Sequence, residues 1–481
     1  MFKFIKDKIN RNLFILVMTR IFQVVIMLVG IRLSTSLLSP SEMGKYYLLI
    51  SIASFVIIFF VSSTGQYLVR NLYIWHKEKQ LINKLFNYNI YLLLISLISA
   101  YILFVLSYYH IIKDSNFLFA SLLIPMYIFF ISWNQTIIPM INLLDYKVLF
   151  GVLTIFTSFL SVLMSYFMVK IFGLYGELWI TGQVLAAGLI AIVAILYLMN
   201  KIKNKFSIVA AFSSITMENG KRIFSFSFPI AIAVGFLWVQ NQSYKIIIGD
   251  TIGLEFLGYF GVGIGVAIAI SSSCESIVHQ FFYPQVFKVI NDERQFKSTY
   301  LNTLNVIIPI YFFIAFFVSI IAIYLITVLV DKKYSSSYVY IIYGIWIEFF
   351  RMSSNYLTII AQAKMNNKTT ILPYAIGGFV VIIGVYFSSF SENFSIYIPL
   401  ILILGSFVTF FTMLIAMNKL MTITYTLSWV KYILPYIIVF FIALLFHNYS
   451  NNIIYSLIII ILFGLYLLFI IHKFLRIREN V

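Results

Sequence analysis

Four basic residues lie inside long apolar stretches of this sequence, where a charge is costly unless it faces water or a partner. They are Arg20, Arg32, Lys245 and Arg351. Inserting a Lys or Arg at the centre of a membrane helix costs a free energy of about 2.5–3.5 kcal/mol. The N–H donors of these side chains bind carboxylates and phosphates well. Arg20 has no acidic residue at neighbouring helical spacings, so it predicts anion binding in a wet cavity, with a structural role as the alternative. Arg32 lies near the end of its stretch and is expected to extend towards the lipid headgroups.

A polar run interrupts the apolar stretch that contains Lys245. Its candidate binding residues are Gln240, Asn241, Gln242 and Lys245. Amides and a cation are the groups that recognise an anionic ligand rich in hydroxyls. Two alternatives remain open: the amides only join neighbouring helices, at about 0.6 kcal/mol per contact in membranes, or Lys245 extends outward past Asp250.

The remaining charges of the apolar stretches are arranged in pairs. Glu348 lies three residues before Arg351 on one helix face, a spacing that predicts an ion pair, although Arg351 is also a candidate substrate-binding residue. Glu275 and His279 lie one helical turn apart. Because histidine titrates near neutral pH, this pair fits either a proton relay or a buried hydrogen-bonded pair. Glu275, His279 and Glu348 are therefore candidates for ion coupling.

Gln66 and Arg70 mark the end of the second apolar stretch. Arg70 is expected to fix the topology or to meet an anion that enters from the cytoplasm, and both residues are candidates for substrate binding. The five histidines are scattered, no His, Cys and carboxylate set has the spacing of a metal site, and the Gly-Lys-Ser/Thr of an ATP-binding loop is missing. The sequence thus predicts no catalytic residues, no metal and no cofactor, and favours a carrier over an enzyme.

Membrane helices must position these residues. Of the 481 residues, 62% are hydrophobic and 10% are charged, whereas soluble domains are about 25% charged. Backbone groups in hydrocarbon must be satisfied within their own segment, so runs of about 20–30 residues predict helices and not barrel strands. We therefore predict an all-α polytopic membrane protein with about 14 transmembrane helices. The predicted spans are 12–38, 43–69, 87–109, 116–143, 148–172, 175–200, 223–249, 255–286, 301–330, 338–363, 370–388, 396–418, 431–447 and 452–473.

The basic residues outside these spans lie mostly on one side of the predicted membrane. The net charge is +17, and every alternate loop from the N-terminus carries Lys and Arg, while the intervening loops carry few. By the positive-inside rule, both termini are predicted to be cytoplasmic, with an even number of spans. This placement explains the positive charge by topology, so we expect membrane lipid and no nucleic acid as a partner.

A short motif occurs twice and indicates an internal repeat. Glu42 and Tyr46 frame the first copy, and Glu255 and Tyr259 frame the second, each between the first and second spans of a six-span unit. The repeat predicts two pseudo-symmetric six-helix lobes followed by two C-terminal helices, with domain bounds 1–205, 206–420 and 421–481. Substrate sites of repeat-built carriers lie near mid-membrane where the repeats face each other. The first-helix arginine and the polar run of the seventh helix are therefore expected to line one cationic cavity.

Two motif stretches also carry a family resemblance. The first comprises Arg32-Leu33, Leu38 to Tyr46, Gly65-Gln66 and Leu68-Val69-Arg70, and the second comprises Lys245 to Gly249 and Leu257-Gly258-Tyr259. They resemble the polysaccharide flippases of the multidrug/oligosaccharidyl-lipid/polysaccharide superfamily, especially the Wzx-type flippases of O-antigen or capsule repeat units. The likeness spans roughly residues 10–420. One departure is Tyr244, because the family often has an acidic residue there, just before the basic one.

This resemblance implies a transport function in polysaccharide biosynthesis, such as that of lipopolysaccharide O-antigen. The implied substrate is an undecaprenyl-diphosphate-linked oligosaccharide, moved from the cytoplasmic to the periplasmic leaflet of the bacterial inner membrane by alternating access. The implied partners are a polysaccharide polymerase and a chain-length protein. Two alternatives remain: a cation-coupled multidrug exporter of the same superfamily, which needs a deep acidic residue, and a membrane glycan polymerase or ligase, which usually has large periplasmic loops.

Overall fold

The structure is a computed structural model that describes residues 2–108, 117–202, 206–213, 215–290, 292–424 and 452–479. Within these residues the chain is built from helices and short turns, and no strand is present. The helices are α1 (Phe2–Leu37), α2 (Pro40–Val56), α3 (Ser63–Lys77), α4 (Leu81–Tyr108), α5 (Phe117–Leu143), α6 (Lys147–Phe172), α7 (Gly176–Lys201), α8 (Ile208–Ser213), α9 (Met217–Thr251), α10 (Leu254–Phe281), α11 (Tyr283–Lys288), α12 (Glu293–Leu329), α13 (Tyr338–Ala363), α14 (Ile371–Ser388), α15 (Phe394–Leu420) and α16 (Ile453–Glu479). A π-helix, Ile57–Ser62, joins α2 to α3.

Twelve helical segments of the described chain are long and apolar enough to cross a membrane. The prediction of an all-α polytopic membrane protein is therefore confirmed. The predicted span 338–363 is helical as α13 but is not among the twelve, because Glu348, Arg351 and several Ser and Asn residues lower its hydropathy. The predicted span 431–447 lies outside the described residues.

The helices are grouped into two compact units. Unit 1 comprises Met1–Gly30 and Leu37–Gly249, and unit 2 comprises Ile31–Ser36 and Asp250–Val481. Helix α9 therefore belongs to unit 1 in this structure up to Gly249. The sequence repeat instead places a boundary between residues 205 and 206, and the bounds 1–205, 206–420 and 421–481 remain a prediction.

In unit 1 the repeated motif forms the start of α2. Ser39 caps this helix by accepting a hydrogen bond from the Glu42 backbone N–H at 3.3 Å, and Pro40 occupies the first turn, as both residue types favour. The Glu42 carboxylate then accepts a bond from the Gly176 backbone N–H at 2.8 Å. One motif thus caps its own helix and holds the start of α7.

In unit 2 the helices pack through small residues and stacked tyrosines. Gly377 of α14 lies against Thr409 and Gly405 of α15, a close approach that small residues permit between membrane helices. The rings of Tyr300 and Tyr356 stack at 5.5 Å between centroids, joining α12 to α13. These contacts form the frame that holds the charged residues of α10 and α13.

Candidate functional site

Lys245 is buried on α9 without a carboxylate partner among the described residues. Its side chain is 6% exposed, and its Nζ donates to Gln242 Oε1 at 2.6 Å. The same Nζ lies 5.7 Å from the ring centroid of Tyr47 and 5.8 Å from that of Tyr244. An amide oxygen and two aromatic faces solvate the ammonium group in part, but they do not neutralise its charge.

Hydrogen bonds between α2 and α9 hold this part of α9 beside the lysine. Ser51 donates to the Gln242 carbonyl oxygen at 2.8 Å. The Trp238 indole N–H donates to the Ser54 hydroxyl at 2.9 Å and to the Ser51 carbonyl at 3.1 Å. The polar run of α9 is therefore fixed at two places on one neighbouring helix.

The other two amides of the polar run differ in burial. Gln240 is buried, and its Oε1 has no hydrogen-bond partner within the described part of the chain. Asn241 is half-buried. A buried carbonyl oxygen without a donor is uncommon in folded proteins and calls for an explanation, and a ligand that carries hydroxyl groups would supply one.

The two arginines of α1 have different surroundings. Arg20, in unit 1, is half-buried and donates to Gln23 Oε1 at 2.8 Å, with no acidic residue within 4.0 Å among the described residues. Arg32, in unit 2, is directed at the Thr327 carbonyl oxygen at 3.5 Å, beside Asp331 and Lys332. Arg20 thus remains a candidate for anion binding, whereas Arg32 lies at a helix end near a loop.

Gln66 and Arg70 line a cavity in unit 1. Both are exposed on α3, and the cavity of about 490 Å³ is bounded by the π-helix, α3, α4 and α5. The Arg70 guanidinium carbon lies 5.3 Å from the ring centroid of Phe226 on α9. Their predicted roles in topology or substrate entry stay predictions.

One network in unit 2 joins the charged residues of α10 and α13 that the sequence analysis singled out. Arg351 donates to Glu348 Oε2 at 2.7 and 2.8 Å and to Glu275 Oε2 at 3.0 Å. Asn355 donates to Glu275 Oε1 at 3.0 Å, and His279 Nε2 lies 3.9 Å from the same oxygen. The Glu348–Arg351 pair expected from the sequence is present. Both carboxylates engage Arg351, which leaves this cation much less available to an anionic ligand than Lys245.

The sequence pattern missed one buried ion pair in unit 1. The side chains of Lys45 and Glu177 lie 2.5 Å apart, and both residues are buried. Lys45 belongs to the repeated motif and was expected in a loop, yet it lies in the first turns of α2 and contacts α7. Glu177 directly follows the glycine whose N–H Glu42 accepts, but this contact joins α2 to α7 and has no signal in the sequence.

Among the described residues no group of three His, Cys, Asp or Glu side chains could hold a metal ion. The chemistry that the side chains do support is binding: α9 offers a partly solvated cation, a buried amide oxygen without a donor among the described residues and aromatic faces, and unit 2 contains two carboxylates around one arginine. These groups on α9 suit an anionic ligand that carries hydroxyl groups.

Comparison with known proteins agrees with this description. The family model described as "Polysaccharide biosynthesis protein" matches residues 35–339, and the chain belongs to this family. The resemblance drawn from the motif stretches is thereby confirmed at the level of the family. A search of curated protein sequences finds no match.

Solved structures of membrane transporters share the fold. The lipid II flippase MurJ in an inward closed conformation aligns with a TM-score of 0.65 and 13% identity, over 95% of this chain and 97% of that chain. The Vibrio cholerae MATE transporter VcmN, as a mutant, aligns with a TM-score of 0.56 and 11% identity, over 86% and 97% of the two chains. A MOP superfamily transporter from Pyrococcus furiosus, described as having a binding pocket of reverse polarity, aligns with a TM-score of 0.55 and 12% identity. The alignment covers 85% of this chain and 95% of that chain. At these identities the likeness establishes the fold.

Proposed function

We propose that this protein is a flippase that moves undecaprenyl-diphosphate-linked oligosaccharide repeat units from the cytoplasmic to the periplasmic leaflet by alternating access. Membership of a polysaccharide biosynthesis family and the fold shared with a lipid II flippase support this proposal. It places the protein in the bacterial cytoplasmic membrane with both termini in the cytoplasm. A polysaccharide polymerase and a chain-length protein are the proposed partners, and O-antigen or capsule is the proposed product.

The observation that carries the proposal is the environment of Lys245. A buried ammonium group without a carboxylate is expensive in a membrane, so an intramembrane cation of this kind is by default a candidate functional residue. A diphosphate brings the negative charge that Lys245 lacks, and the sugars bring hydroxyl groups for Gln240 Oε1 and Asn241. We propose that Lys245 binds the diphosphate and that the amides bind the first sugars, in a conformation that gives the substrate access to α9. Arg20 is the second proposed cation.

The charge network of unit 2 weighs against the multidrug-exporter alternative. A cation-coupled exporter needs a carboxylate that is free to bind protons, sodium or a cationic drug. Glu275 and Glu348 both engage Arg351, so neither carboxylate lacks a cation partner, although the single guanidinium offsets only one of the two negative charges. Ion coupling at Glu275, Glu348 and His279 remains a proposal that requires this network to rearrange during transport.

The decisive experiment replaces the lysine and follows the substrate. Lys245→Ala, in proteoliposomes that contain a fluorescent polyprenyl-diphosphate oligosaccharide, is expected to reduce transport at least tenfold, because a charge-assisted contact of about 1.5–3 kcal/mol is lost. Transport is measured as the fraction of fluorophore that a membrane-impermeant reductant in the outer solution reaches with time. Lys245→Arg keeps the positive charge and is expected to retain part of the activity.

Arg32→Ala is the matched control, since it also removes an intramembrane cation but lies near a loop of unit 2. It is expected to leave transport within about twofold of wild type at equal protein level. Equal loss in both variants, or normal transport by Lys245→Ala, would remove Lys245 from the proposed site. Transport of a cationic dye instead of the lipid-linked glycan would favour the exporter.

A further inference from the structure

A second cavity in unit 1 has the length of a single acyl chain and one polar end. Its volume is about 580 Å³, and α3, α4 and the first turn of α9 form its walls. The lining along α4 runs from Lys84 to Leu94, which corresponds to about 15 Å at 1.5 Å per residue. Half the thickness of a bilayer hydrocarbon core is also about 15 Å. The cavity therefore extends through the depth of one leaflet.

The two ends of the cavity differ in chemistry. The end near the α3–α4 turn carries charged and amide side chains: Asn71, Glu78, Lys84, Asn87, Asn219 and Arg222. The deeper end is lined by Leu68, Tyr88, Ile90, Tyr91 and Leu94. This gradient matches a molecule with a polar head and a hydrocarbon tail, and it does not match a small soluble anion.

The deep wall of the cavity is built on the π-helix. The Tyr91 hydroxyl donates to the Phe60 carbonyl oxygen at 3.0 Å, and the Tyr88 hydroxyl is directed at the Val61 carbonyl oxygen at 3.4 Å. The irregular segment offers carbonyl groups to these hydroxyls, and the tyrosine rings then face the cavity. π-Helical turns occur frequently at functional sites. The wall is thus held in place by specific contacts.

The charges at the polar end favour an anionic head. Lys84 is half-buried and Arg222 is exposed, and neither has a carboxylate within 4.0 Å among the described residues. Glu78, which is exposed, provides one negative charge against these two cations. The positive-inside pattern of the sequence places this end in the cytoplasmic leaflet, and basic pockets between membrane helices on that side bind anionic lipid headgroups.

We propose that this cavity is a binding site for an anionic phospholipid of the cytoplasmic leaflet, with its phosphate at Lys84 and Arg222 and one acyl chain along α4. The cavity is as long as a single leaflet is deep, which fits an ordinary acyl chain better than the much longer undecaprenyl chain of the proposed substrate. The site is separate from Lys245, and the proposal stands without the proposed transport function.

Trp75 lines the cavity and reports its occupancy. The full-length protein is placed in nanodiscs of phosphatidylcholine that contain increasing amounts of brominated phosphatidylglycerol, and bromine quenches the fluorescence of nearby tryptophan. The contribution of Trp75 is obtained by subtracting the signal of Trp75→Phe. Saturable quenching at a small mole fraction of brominated phosphatidylglycerol is expected, and brominated phosphatidylcholine at the same fraction is expected to quench in proportion to its abundance only.

Charge-removing variants test the headgroup contacts. Lys84→Gln with Arg222→Gln is expected to shift the half-saturating fraction of phosphatidylglycerol upward by about thirtyfold, or about fivefold for each cation. The matched control, Lys79→Gln with Lys221→Gln, removes one exposed basic residue from the α3–α4 turn and one from the start of α9, and it is expected to shift the half-saturating fraction by less than twofold. Native mass spectrometry of the purified protein should show one phosphatidylglycerol retained in the control and lost in the test variant.

Three results would overturn the proposal. Equal shifts in the two double variants would show a diffuse surface charge effect. Equal quenching by both brominated phospholipids would show that the headgroup is not recognised. Displacement of phosphatidylglycerol by a polyprenyl phosphate at lower mole fraction would make the cavity a carrier-lipid site instead. Leu94→Trp, which fills the apolar end, is expected to lose the phosphatidylglycerol retained in native mass spectrometry while the protein remains monodisperse.

Discussion

Removal of Arg351 tests whether the charge network of unit 2 is a structural element. The side chains of Glu275 and Glu348 are 15% and 7% exposed, and Arg351 is their common cation. In Arg351→Gln these two carboxylates face each other with only Asn355, and with His279 at 3.9 Å. The variant keeps a hydrogen-bonding side chain but removes the one positive charge that both carboxylates contact.

The expected magnitude follows from the number of uncompensated charges. Breaking a buried pair by removing one partner costs about 3–5 kcal/mol, because the other charge stays buried. Arg351→Gln is therefore expected to lower the free energy of unfolding of unit 2 by at least this amount. The triple variant Glu275→Gln, Glu348→Gln and Arg351→Gln contains no charge at these positions, and it is expected to recover most of the loss.

The assay is thermal or denaturant unfolding of the purified protein in mild detergent, followed by intrinsic fluorescence. Arg70→Gln provides the control, because Arg70 is exposed and lies over the Phe226 ring. Exposed substitutions usually change stability by about 0.5 kcal/mol or less. Wild-type stability in Arg351→Gln, or a triple variant no more stable than the single one, would refute the argument from charge compensation.

Two further predictions concern helix packing, each with a control from the same chain. Glu42→Ala is expected to destabilise unit 1 by about 1.5–3 kcal/mol, because it loses a charged hydrogen bond to α7. Its control is Glu255→Ala, at the exposed equivalent position of the second motif, which should change the free energy of unfolding by no more than about 0.5 kcal/mol in the same assay. Gly377→Ala is expected to cost about 1–3 kcal/mol because the added methyl group meets α15, whereas Gly464→Ala, which meets no atom within 4 Å, should be neutral or stabilising. Equal effects within either pair would contradict the packing described for these helices.

The helices could be predicted from the sequence because their signal is local. Apolar runs of membrane length predicted the twelve spanning segments, and the three-residue spacing of Glu348 and Arg351 predicted their ion pair. Both inferences depend on geometry within one helix. The same reasoning could not extend to Glu275, which reaches Arg351 from α10, because no sequence spacing encodes which helices become neighbours.

The candidate site of unit 1 was predictable only in its composition. The polar run of α9 identified Lys245 and the amides, but the contacts that hold them come from α2, 191 positions away in sequence for Ser51 and Gln242. The π-helix Ile57–Ser62 left no mark in the sequence either, since its residues are as apolar as those of the flanking helix. Such features arise from packing between helices, which the pattern of a single segment does not encode.

Two cations of the membrane helices, the buried Lys245 and the half-buried Arg351, differ in a way that separates structure from function. Arg351 is surrounded by two carboxylates, so its charge is satisfied within the fold, and its contribution is to join α10 to α13. Lys245 has an amide oxygen and two aromatic rings beside its ammonium group. These groups stabilise the charge in part but do not neutralise it. Ser51 and Trp238 meanwhile fix the backbone that carries the lysine, which pre-organises its position. A charge that is positioned but not compensated is what an anion-binding carrier requires, and in the proposed function the diphosphate of the substrate completes the environment of Lys245.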